Sequence, residues 1–333
     1  MALNQNAWYG SAMLSAIHTA VGWTFGNVFI VVNSSDTADT NYQHLQELFI
    51  PDNDGRVRFY SSLESAYAAT QTNNNDVIIL DWHSTHALAD MLSISKSRVH
   101  FIWLDYLLGN RRKYGQSSKV SMLTGTSTAN IFNVKNTWVR NSFKGIKFMN
   151  DTADTSIVST FWEWWEYTYF ENCEFYNSQI LNSDTVSEMV LNGDSTQFKN
   201  CTFGSLADSV VWDKVRPAIL LTAGTVGAWL VCRDVTFDWC NFWKNAGWTT
   251  TAMIKGWATD VERVMIFNDC GFVANVLGAQ PAVAIDVATL TRWQILLTGN
   301  TYSAECTKLA TATGVFSSLP ARVATATIWI QAT

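Results

Sequence analysis

The chain has 333 residues, of which 48% are apolar and only 15% are charged, and its formal net charge is −6. The charged fraction lies below the roughly 25% that is usual for soluble proteins, which favours an assembled state over a free monomer. The acidic balance argues against a nucleic-acid partner, because nucleic-acid binders normally present a basic face. The sequence also lacks a run of roughly 18 consecutive apolar residues, so it predicts no membrane span.

The first part of the chain mixes strand and helix signals. Residues 1–30 are neutral and apolar and lack the basic start of a signal peptide, so we interpret them as an ordered arm that docks onto a neighbouring subunit. The apolar run Val28–Val32 predicts a short strand. We therefore expect residues 1–90 to form an N-terminal arm and a small α/β region.

A helix followed by a strand is predicted near the end of this region. The pattern Ser61-x-x-Glu64 is typical of a capping box that opens a helix. The strand that follows is Asp76–Leu80. A short helix followed by this strand resembles the entry to many β-helix domains, in which the helix covers the open end of the solenoid, where unpaired strand edges invite aggregation. Its predicted buried stripe has helical spacing and consists of Leu63, Ala66, Tyr67 and Thr70.

Two patterns in the same region could be taken for metal ligands. Pro51–Gly55 resembles part of a calcium loop, but the third acid and the distant Glu of an EF-hand are missing, which favours a plain turn. His83 and His86 fall at a predicted strand end, where residues three apart point to opposite faces. The cysteines lack the close pairs that zinc requires. We therefore expect no metal and no cofactor.

A six-residue motif recurs through the second half of the chain. Its clearest copies are FENCEF at 170–175, FKNCTF at 198–203, FDWCNF at 237–242 and FNDCGF at 267–272, and degenerate copies are FKGIKF at 143–148 and LTGNTY at 297–302. The closing aromatic residues therefore fall 27, 28, 39, 30 and 30 residues apart. Nearly fixed spacing of this size is the signature of a solenoid, in which each turn buries its apolar face against the next.

The motif predicts a stacked core. Its cysteine and its closing Phe lie two residues apart and so point to the same face of a strand. The cysteines then act as small buried apolar residues and not as disulfides or ligands. The polar residue before the cysteine, as in Asn172, Asn200 and Asp269, suits a turn between short strands. The predicted core ladder consists of Cys173, Phe175, Cys201, Phe203, Cys240, Phe242, Cys270 and Phe272.

This repeat resembles that of the right-handed parallel β-helix of the pectin-lyase-like kind. The resemblance implies an all-β protein with a β-helix over residues 91–315, capped by the α/β region and followed by a C-terminal strand or tail over residues 316–333. The step of 39 residues leaves about ten extra residues, which we place in a loop at Ala207–Ala218. Such a loop often lies on a binding face.

The stretch FWEWWEYTYFENCEFYN at 161–177 interleaves aromatic rings with carboxylates. Glu163 and Glu166 could serve as the two acids of a polysaccharide hydrolase, which requires carboxyl groups about 5–10 Å apart. Exposed tryptophans could hold sugar, but they are also enriched at subunit interfaces. Packing or subunit contact, glycan binding without cleavage, and catalysis are therefore all kept as interpretations. The possible binding face consists of Trp162, Trp164, Trp165 and Trp212.

Residues 25–90 carry a second resemblance. The short strand, the segment YQHLQELFIPDNDGRVRFY, the capping helix and the strand DVIIL are similar to a family of bacteriophage virion structural proteins. The resemblance implies a protein located in the virion. Our hypothesis is a capsid-attached decoration protein that forms a homo-oligomer and docks on the major capsid protein or other virion proteins, without turnover. The alternative is a receptor-binding spike that binds host-surface polysaccharide or degrades it as a hydrolase or lyase.

Overall fold

The computed structural model describes most of the regular structure of the chain. The described residues are 13, 15–22, 25–32, 43, 45, 57–81, 85–88, 90–107, 118–122, 130–134, 140–150, 159–163, 166–177, 186–204, 217–221, 232–246, 252–256, 261–276, 282–287, 293–302, 306–309 and 315–317. Several sequence predictions therefore fall outside the described residues. They are the turn at Pro51–Gly55, His83, most of the loop at Ala207–Ala218 and the C-terminal tail beyond 317.

Short strands dominate the structure. The helices are α1 (residues 15–21), α2 (Leu63–Ala69) and α3 (Leu104–Leu107). The strands are β1 (Val28–Val31), β2 (Val57–Tyr60), β3 (Asp76–Leu80), β4 (Thr85–Leu88), β5 (Leu92–Ile94), β6 (Val99–Trp103), β7 (Ser118–Met122), β8 (Asn130–Val134), β9 (Ser142–Lys144), β10 (Ile146–Asn150), β11 (Ser159–Glu163), β12 (Tyr169–Glu171), β13 (Glu174–Asn177), β14 (Met189–Leu191), β15 (Gln197–Lys199), β16 (Thr202–Phe203), β17 (Ile219–Leu221), β18 (Cys232–Asp238), β19 (Asn241–Ala246), β20 (Ala252–Gly256), β21 (Val261–Asn268), β22 (Gly271–Val276), β23 (Ala282–Val287), β24 (Trp293–Thr298), β25 (Thr301–Tyr302), β26 (Cys306–Leu309) and β27 (Val315–Ser317). No helix in the described part of the chain is long and apolar enough to cross a membrane.

The strands form three parallel sheets that the chain visits in turn. Sheet A has 11 strands in the order β2-β1-β3-β6-β9-β12-β15-β18-β21-β24-β27. Sheet B has eight strands, β4 to β25, and sheet C has eight strands, β5 to β26, each taking every third strand of the chain. One coil therefore runs from sheet A to sheet B to sheet C. The predicted all-β fold, a right-handed parallel β-helix, is confirmed.

The register follows the repeat of the sequence motif. In sheet A, the first Phe of each motif pairs with the next, as Phe170 does with Phe198 and Phe198 with Phe237. In sheet B, the closing Phe does the same, as in the pairing of Phe175 with Phe203. The longer step of 39 residues does not change the register of sheet B, because Phe203 still pairs with Phe242. The extra residues of that coil therefore lie outside these ladders.

The aromatic rings stack in two columns through the interior. Along both columns, successive rings are parallel to within 15° and their centroids lie 4.7 to 5.1 Å apart. Rings of the two columns also meet edge to face, as Phe170 and Phe175 do. Burial of each large ring stabilises the fold by roughly 2–3 kcal/mol. The columns are Phe101, Phe143, Phe170, Phe198, Phe237 and Phe267, and Phe148, Phe175, Phe203, Phe242 and Phe272.

The corner between sheets A and B needs a left-handed backbone. The third motif position has positive φ in all six copies. Glycine, Asn and Asp tolerate this conformation better than other residues, and they occupy five of the six positions. Asn200 also donates a side-chain hydrogen bond to Asn172 one coil away. The six residues are Gly145, Asn172, Asn200, Trp239, Asp269 and Gly299.

Helix α2 covers the N-terminal end of the core. Its predicted stripe packs there, and the Tyr67 ring stacks on Phe101 at 6.1 Å between centroids. The capping residue is Ser62, whose hydroxyl accepts from the Ser65 N–H. The N-cap of the helix therefore lies one residue after the predicted Ser61. Lys96 closes the other end of the helix, because its ammonium donates to three carbonyl oxygens, those of Tyr67, Ala68 and Thr70.

Helix α1 packs against its own chain. Ile17 is fully buried in a second apolar cluster with Val77, Ile79 and Ile102, which lie on the outer face of sheet A. These strands are apolar on both faces, so a cover is required on the outer side. The described part of the predicted arm thus serves as that cover.

Candidate functional site

Glu163 does not lie in an open groove. It shares a face of β11 with Phe161, pairs in register with the core residue Leu191, and is 0% exposed. Its Oε1 accepts a hydrogen bond of 2.7 Å from the Thr168 hydroxyl. Glu166 is half-buried at the following corner. Hydrolysis requires both carboxyl groups to reach one substrate, so the predicted pair Glu163 and Glu166 lacks the arrangement that this chemistry needs.

The predicted tryptophan face is described only in part. Trp162 lies on the outer face of sheet C, half-buried, and pairs in register with Val190 of the next coil. Trp164, Trp165 and Trp212 lie outside the described residues.

The motif cysteines belong to the interior. Cys173, Cys201, Cys240 and Cys270 are buried free thiols. Their Sγ–H groups donate to backbone carbonyls, as Cys270 does to Phe237 of the preceding coil at 3.3 Å. Burial and the neighbouring thiols raise the pKa of Cys201, and a hydrogen bond with Cys240, together with burial, raises that of Cys270. Protonated, enclosed thiols are packing groups and not nucleophiles.

A polar surface lies on the outside of sheet A beyond helix α1. We define face A as the outward-pointing residues of β9, β12, β15 and β18. They alternate with the core phenylalanines and form two rows. The first row is Ser142, Tyr169, Gln197 and Thr236, and the second is Lys144, Glu171, Lys199 and Asp238.

The N-terminal half of face A is an interlocked polar cluster. Lys144 Nζ lies 3.2 Å from Glu171 Oε2 and 5.0 Å from the centroid of the Tyr169 ring. Burial favours a higher pKa for Glu171, but a hydrogen bond from Tyr106 and the charge of Lys144 outweigh it, so that the pKa lies below its usual value. Burial and the Glu171 carboxylate raise the pKa of Tyr169. At neutral pH, Glu171 is therefore an ion-paired carboxylate and Tyr169 a neutral phenol.

A histidine borders this cluster. His100 Nδ1 lies 2.8 Å from the Ser142 hydroxyl oxygen, and both side chains are buried. Burial, followed by the charge of Lys144, lowers the pKa of His100 to about 4. The imidazole is therefore neutral at neutral pH. Because Ser142 is also buried, the pair is better placed to stabilise the border of face A than to attack a substrate.

The other half of face A is open. Gln197 and Lys199 are exposed, and Asp238 is half-buried and accepts a hydrogen bond of 3.2 Å from Asn268. Lys199 pairs in register with Glu171 on one side and with Asp238 on the other. The Cα atoms of the two acids are thus about 10 Å apart, twice the spacing of neighbouring strands. This half offers both donors and acceptors to a ligand.

Exposed aromatic rings stand at the two edges of face A. Tyr167 precedes β12 and is 43% exposed, and Trp239 follows β18 and is 59% exposed. Both have left-handed backbones, with φ of 61° and 57°. The guanidinium of Arg140 lies 5.5 Å from the centroid of the Tyr167 ring. Within the described residues, these are the large apolar side chains that are exposed.

Sequence reasoning missed face A, although its signal is present in the motif. The second motif position is polar in every copy, and Lys144, Glu171, Lys199 and Asp238 all occupy it. Trp239 occupies a third position that otherwise carries Gly, Asn or Asp. The inward positions of the repeat identify the core, whereas the outward positions form a surface only when successive coils are in register. The described residues contain no group of three or more His, Cys, Asp or Glu side chains arranged to hold a metal ion.

The chain matches no family model and no curated protein. Among solved structures, it is similar to a pectin methylesterase variant in complex with a hexasaccharide, with a TM-score of 0.48 and 10% identity over 88% of each chain. It is also similar to the ORF18 protein of Geobacillus virus E2, with a TM-score of 0.43 and 10% identity over 77% of this chain and 57% of that one. A third is a tailspike protein from Acinetobacter baumannii bacteriophage Fri1, a capsular polysaccharide depolymerase, with a TM-score of 0.39 and 12% identity over 88% of this chain and 55% of that one. The fold assignment rests on the strand pairing of the chain itself.

Proposed function

We propose that the protein is a structural component of a bacteriophage virion and that its β-helix is a stiff scaffold. The observation that supports this most is the pair of aromatic columns, which runs from Phe101 to Phe272 without a break. Every coil is hydrogen-bonded to the next along three sheets, so bending requires many contacts to open together. Such a rod suits a building block that bears load or displays a surface.

The N-terminal region supports the virion part of this proposal. The resemblance of residues 25–90 to phage virion structural proteins rests on a strand, the segment YQHLQELFIPDNDGRVRFY, a capping helix and the strand DVIIL. Most of that segment lies outside the described residues. The other three parts are β1, α2 and β3, and β1 lies between β2 and β3 in sheet A.

We further propose that the chain is a decoration protein attached to the outside of the capsid. With only 15% charged residues, the chain has little like-charge repulsion to keep its copies apart. We therefore propose a homo-oligomer that docks on the major capsid protein or on another virion protein.

Membership of the particle can be tested by sedimentation. Phage particles from the strain that encodes the chain are banded in a density gradient, washed in high salt, and analysed by quantitative mass spectrometry. The proposal predicts that the chain stays with the particles at a constant ratio to the major capsid protein. Recovery of the chain only in the soluble lysate would overturn it.

A depolymerising spike is the second candidate, and one observation favours it. Glu171 and Asp238 flank Lys199 on face A with Cα atoms about 10 Å apart, and inverting glycosidases use two carboxyl groups about 6.5–9.5 Å apart, so two acids on this face could both reach one glycan. The low pKa and ion pairing of Glu171 count against its serving as a proton donor. The test is the release of new reducing ends from host polysaccharides. The scaffold proposal predicts none, whereas release that is lost in both Glu171→Gln and Asp238→Asn would establish the spike.

A further inference from the structure

We propose that face A holds a polysaccharide chain between Tyr167 and Trp239, which act as stacking platforms at its two ends. This site is additional to the scaffold role and does not depend on membership of a virion. Tyr167 lies at the corner before β12, and Trp239 lies at the corner after β18. The two rings are therefore on opposite edges of one sheet face.

The separation of the rings fits an extended ligand. Trp239 stands two strands from β12 and in line with Asn172, five residues after Tyr167. Two strand spacings are about 10 Å and five residues span at most about 17 Å, so the Cα atoms lie up to roughly 20 Å apart along a diagonal. A ligand that touches both rings must span several sugar units, which excludes a monosaccharide.

Trp239 departs from the residue types that its row otherwise uses. The other five residues of its row are Gly, Asn or Asp, which adopt a left-handed backbone with less strain than a bulky aromatic residue. Its side chain is mostly exposed, so burial recovers little of this cost. Residues in strained backbone conformations are concentrated at functional sites. A planar apolar surface held toward solvent at that position is what a pyranose ring can stack against.

Tyr167 is held in place by its neighbour. The Arg140 guanidinium lies over the Tyr167 ring, and this cation–π contact restrains the ring without covering all of it. The backbone N–H of Tyr167 is bonded to the Asp194 carbonyl oxygen at 2.9 Å. The platform is therefore fixed before a ligand arrives, which reduces the entropy lost on binding.

The surface between the rings favours a sugar over a protein partner. Protein interfaces place apolar groups at the centre and polar groups at the rim. Face A has the reverse order, because Gln197, Lys199, Thr236 and Asp238 lie between the two aromatic edges. These side chains supply the donors and acceptors that sugar hydroxyl groups require. A protein with an apolar anchor would find no apolar centre there.

The test separates stacking from folding. In Trp239→Asn, the ring is replaced by a residue that the row already uses, so the fold is retained. In Tyr167→Ser, the corner takes the residue that Ser195 supplies one coil later. The matched control is Asp269→Asn, which changes the exposed corner of the coil after Trp239 and leaves both rings intact.

Purified bacterial capsular polysaccharides and lipopolysaccharide O-chains are immobilised, and dissociation constants are measured for each variant. We expect the unaltered chain to bind at least one of these polymers. The dissociation constant of each ring variant should be at least about tenfold higher, as loss of one stacking contact implies. The control variant should bind as the unaltered chain does. Failure of every polymer to bind, or full affinity in both ring variants, would overturn the inference. Conversion of an oligomer to monomers by Trp239→Asn in analytical ultracentrifugation would also overturn it, because the ring would then be a contact between copies.

Discussion

At the scale of single residues, the third motif position shows what the fold demands and what it does not. The left-handed corner is satisfied by Gly145, Asn172, Asn200, Asp269 and Gly299, and the sequence correctly indicated a turn there from Asn and Asp. Trp239 occupies the same turn position in the aligned motif, so the sequence already marks it as a corner residue. How far its ring is exposed is known only from the structure, because aromatic residues in a repeat are usually buried.

The strain at Trp239 has a measurable consequence for stability. Replacing it by Asn removes an unfavourable left-handed backbone, so we expect Trp239→Asn to raise the free energy of unfolding by about 1 kcal/mol. Urea denaturation at neutral pH measures the change. In contrast, Asn200→Trp should lower it by at least as much, because it places a bulky residue at a left-handed corner and also removes the hydrogen bond from Asn200 to Asn172. A lower stability of Trp239→Asn would show that its ring packs usefully on the fold.

His100 should make stability depend on pH. Its folded pKa of about 4 lies below the unfolded value of about 6.5, so the unfolded chain binds the proton more readily between these values. Acidification from pH 6.5 to 4 should therefore remove up to about 3 kcal/mol, and the effect is absent above pH 6.5. His100→Gln cannot titrate and should flatten the profile of unfolding free energy in this window.

The matched control for that profile is His18→Gln, because His18 is exposed on helix α1. This variant keeps the buried His100 imidazole, so the slope that His100 causes between pH 6.5 and 4 should persist in it. Equal slopes for His100→Gln and the unaltered chain would contradict the burial of a neutral imidazole at the border of face A.

The stacked cysteines should be inert until the coils open. Cys173, Cys201, Cys232, Cys240 and Cys270 are buried, and the sixth cysteine of the chain is Cys306. In a Cys306→Ser variant, we expect Ellman's reagent to find no reactive thiol in the native protein and five after unfolding. Rapid reaction of any thiol in native conditions would show that the ladder is accessible.

At the scale of elements, the capping helix was largely predictable. Its helical stripe is encoded locally, so Leu63, Ala66 and Tyr67 could be assigned to the core without a structure. The exact capping residue could not, because Ser61 and Ser62 are chemically alike and only the backbone decides between them. The contribution of Lys96, some 26 to 29 residues away in the chain, left no local pattern.

Lys96 should be necessary for this cap. Lys96→Met keeps the apolar stem but removes three charge-assisted hydrogen bonds to the end of α2, so we expect a loss of about 2 kcal/mol in unfolding free energy. Lys199→Met, at an exposed position, should change it little. Hydrogen exchange in α2 should also rise in Lys96→Met alone. Unchanged exchange there would mean that packing on Phe101 holds the helix without the cap.

The packing partner of helix α1 could not be predicted from the sequence. Its apolar face predicts a buried partner, and either its own sheet or a neighbouring subunit would satisfy it. The choice depends on the outer face of sheet A, where Val77, Ile79 and Ile102 need a cover. That need is not visible until the strands have been assigned to sheets.

At the scale of the whole molecule, the repeat carried most of the information about the fold. Six motif copies at near-constant spacing predicted a parallel β-helix, and the ring columns follow them coil by coil. The surface was less predictable, since a solenoid leaves three outer faces and the motif does not say which one is open. Glu163 was chosen for its neighbours in the chain, whereas burial in this fold depends on neighbours one coil away.

Immunoelectron microscopy of phage particles tests the proposed role of the chain as a virion scaffold most directly. Gold-labelled antibodies against the purified chain are applied to intact phage particles and viewed by electron microscopy. A virion component predicts gold at a constant position on the particles, at regular sites on the shell if it decorates the capsid. Particles that carry no label, while the free chain is labelled efficiently on the same grid, would contradict a structural role in the virion.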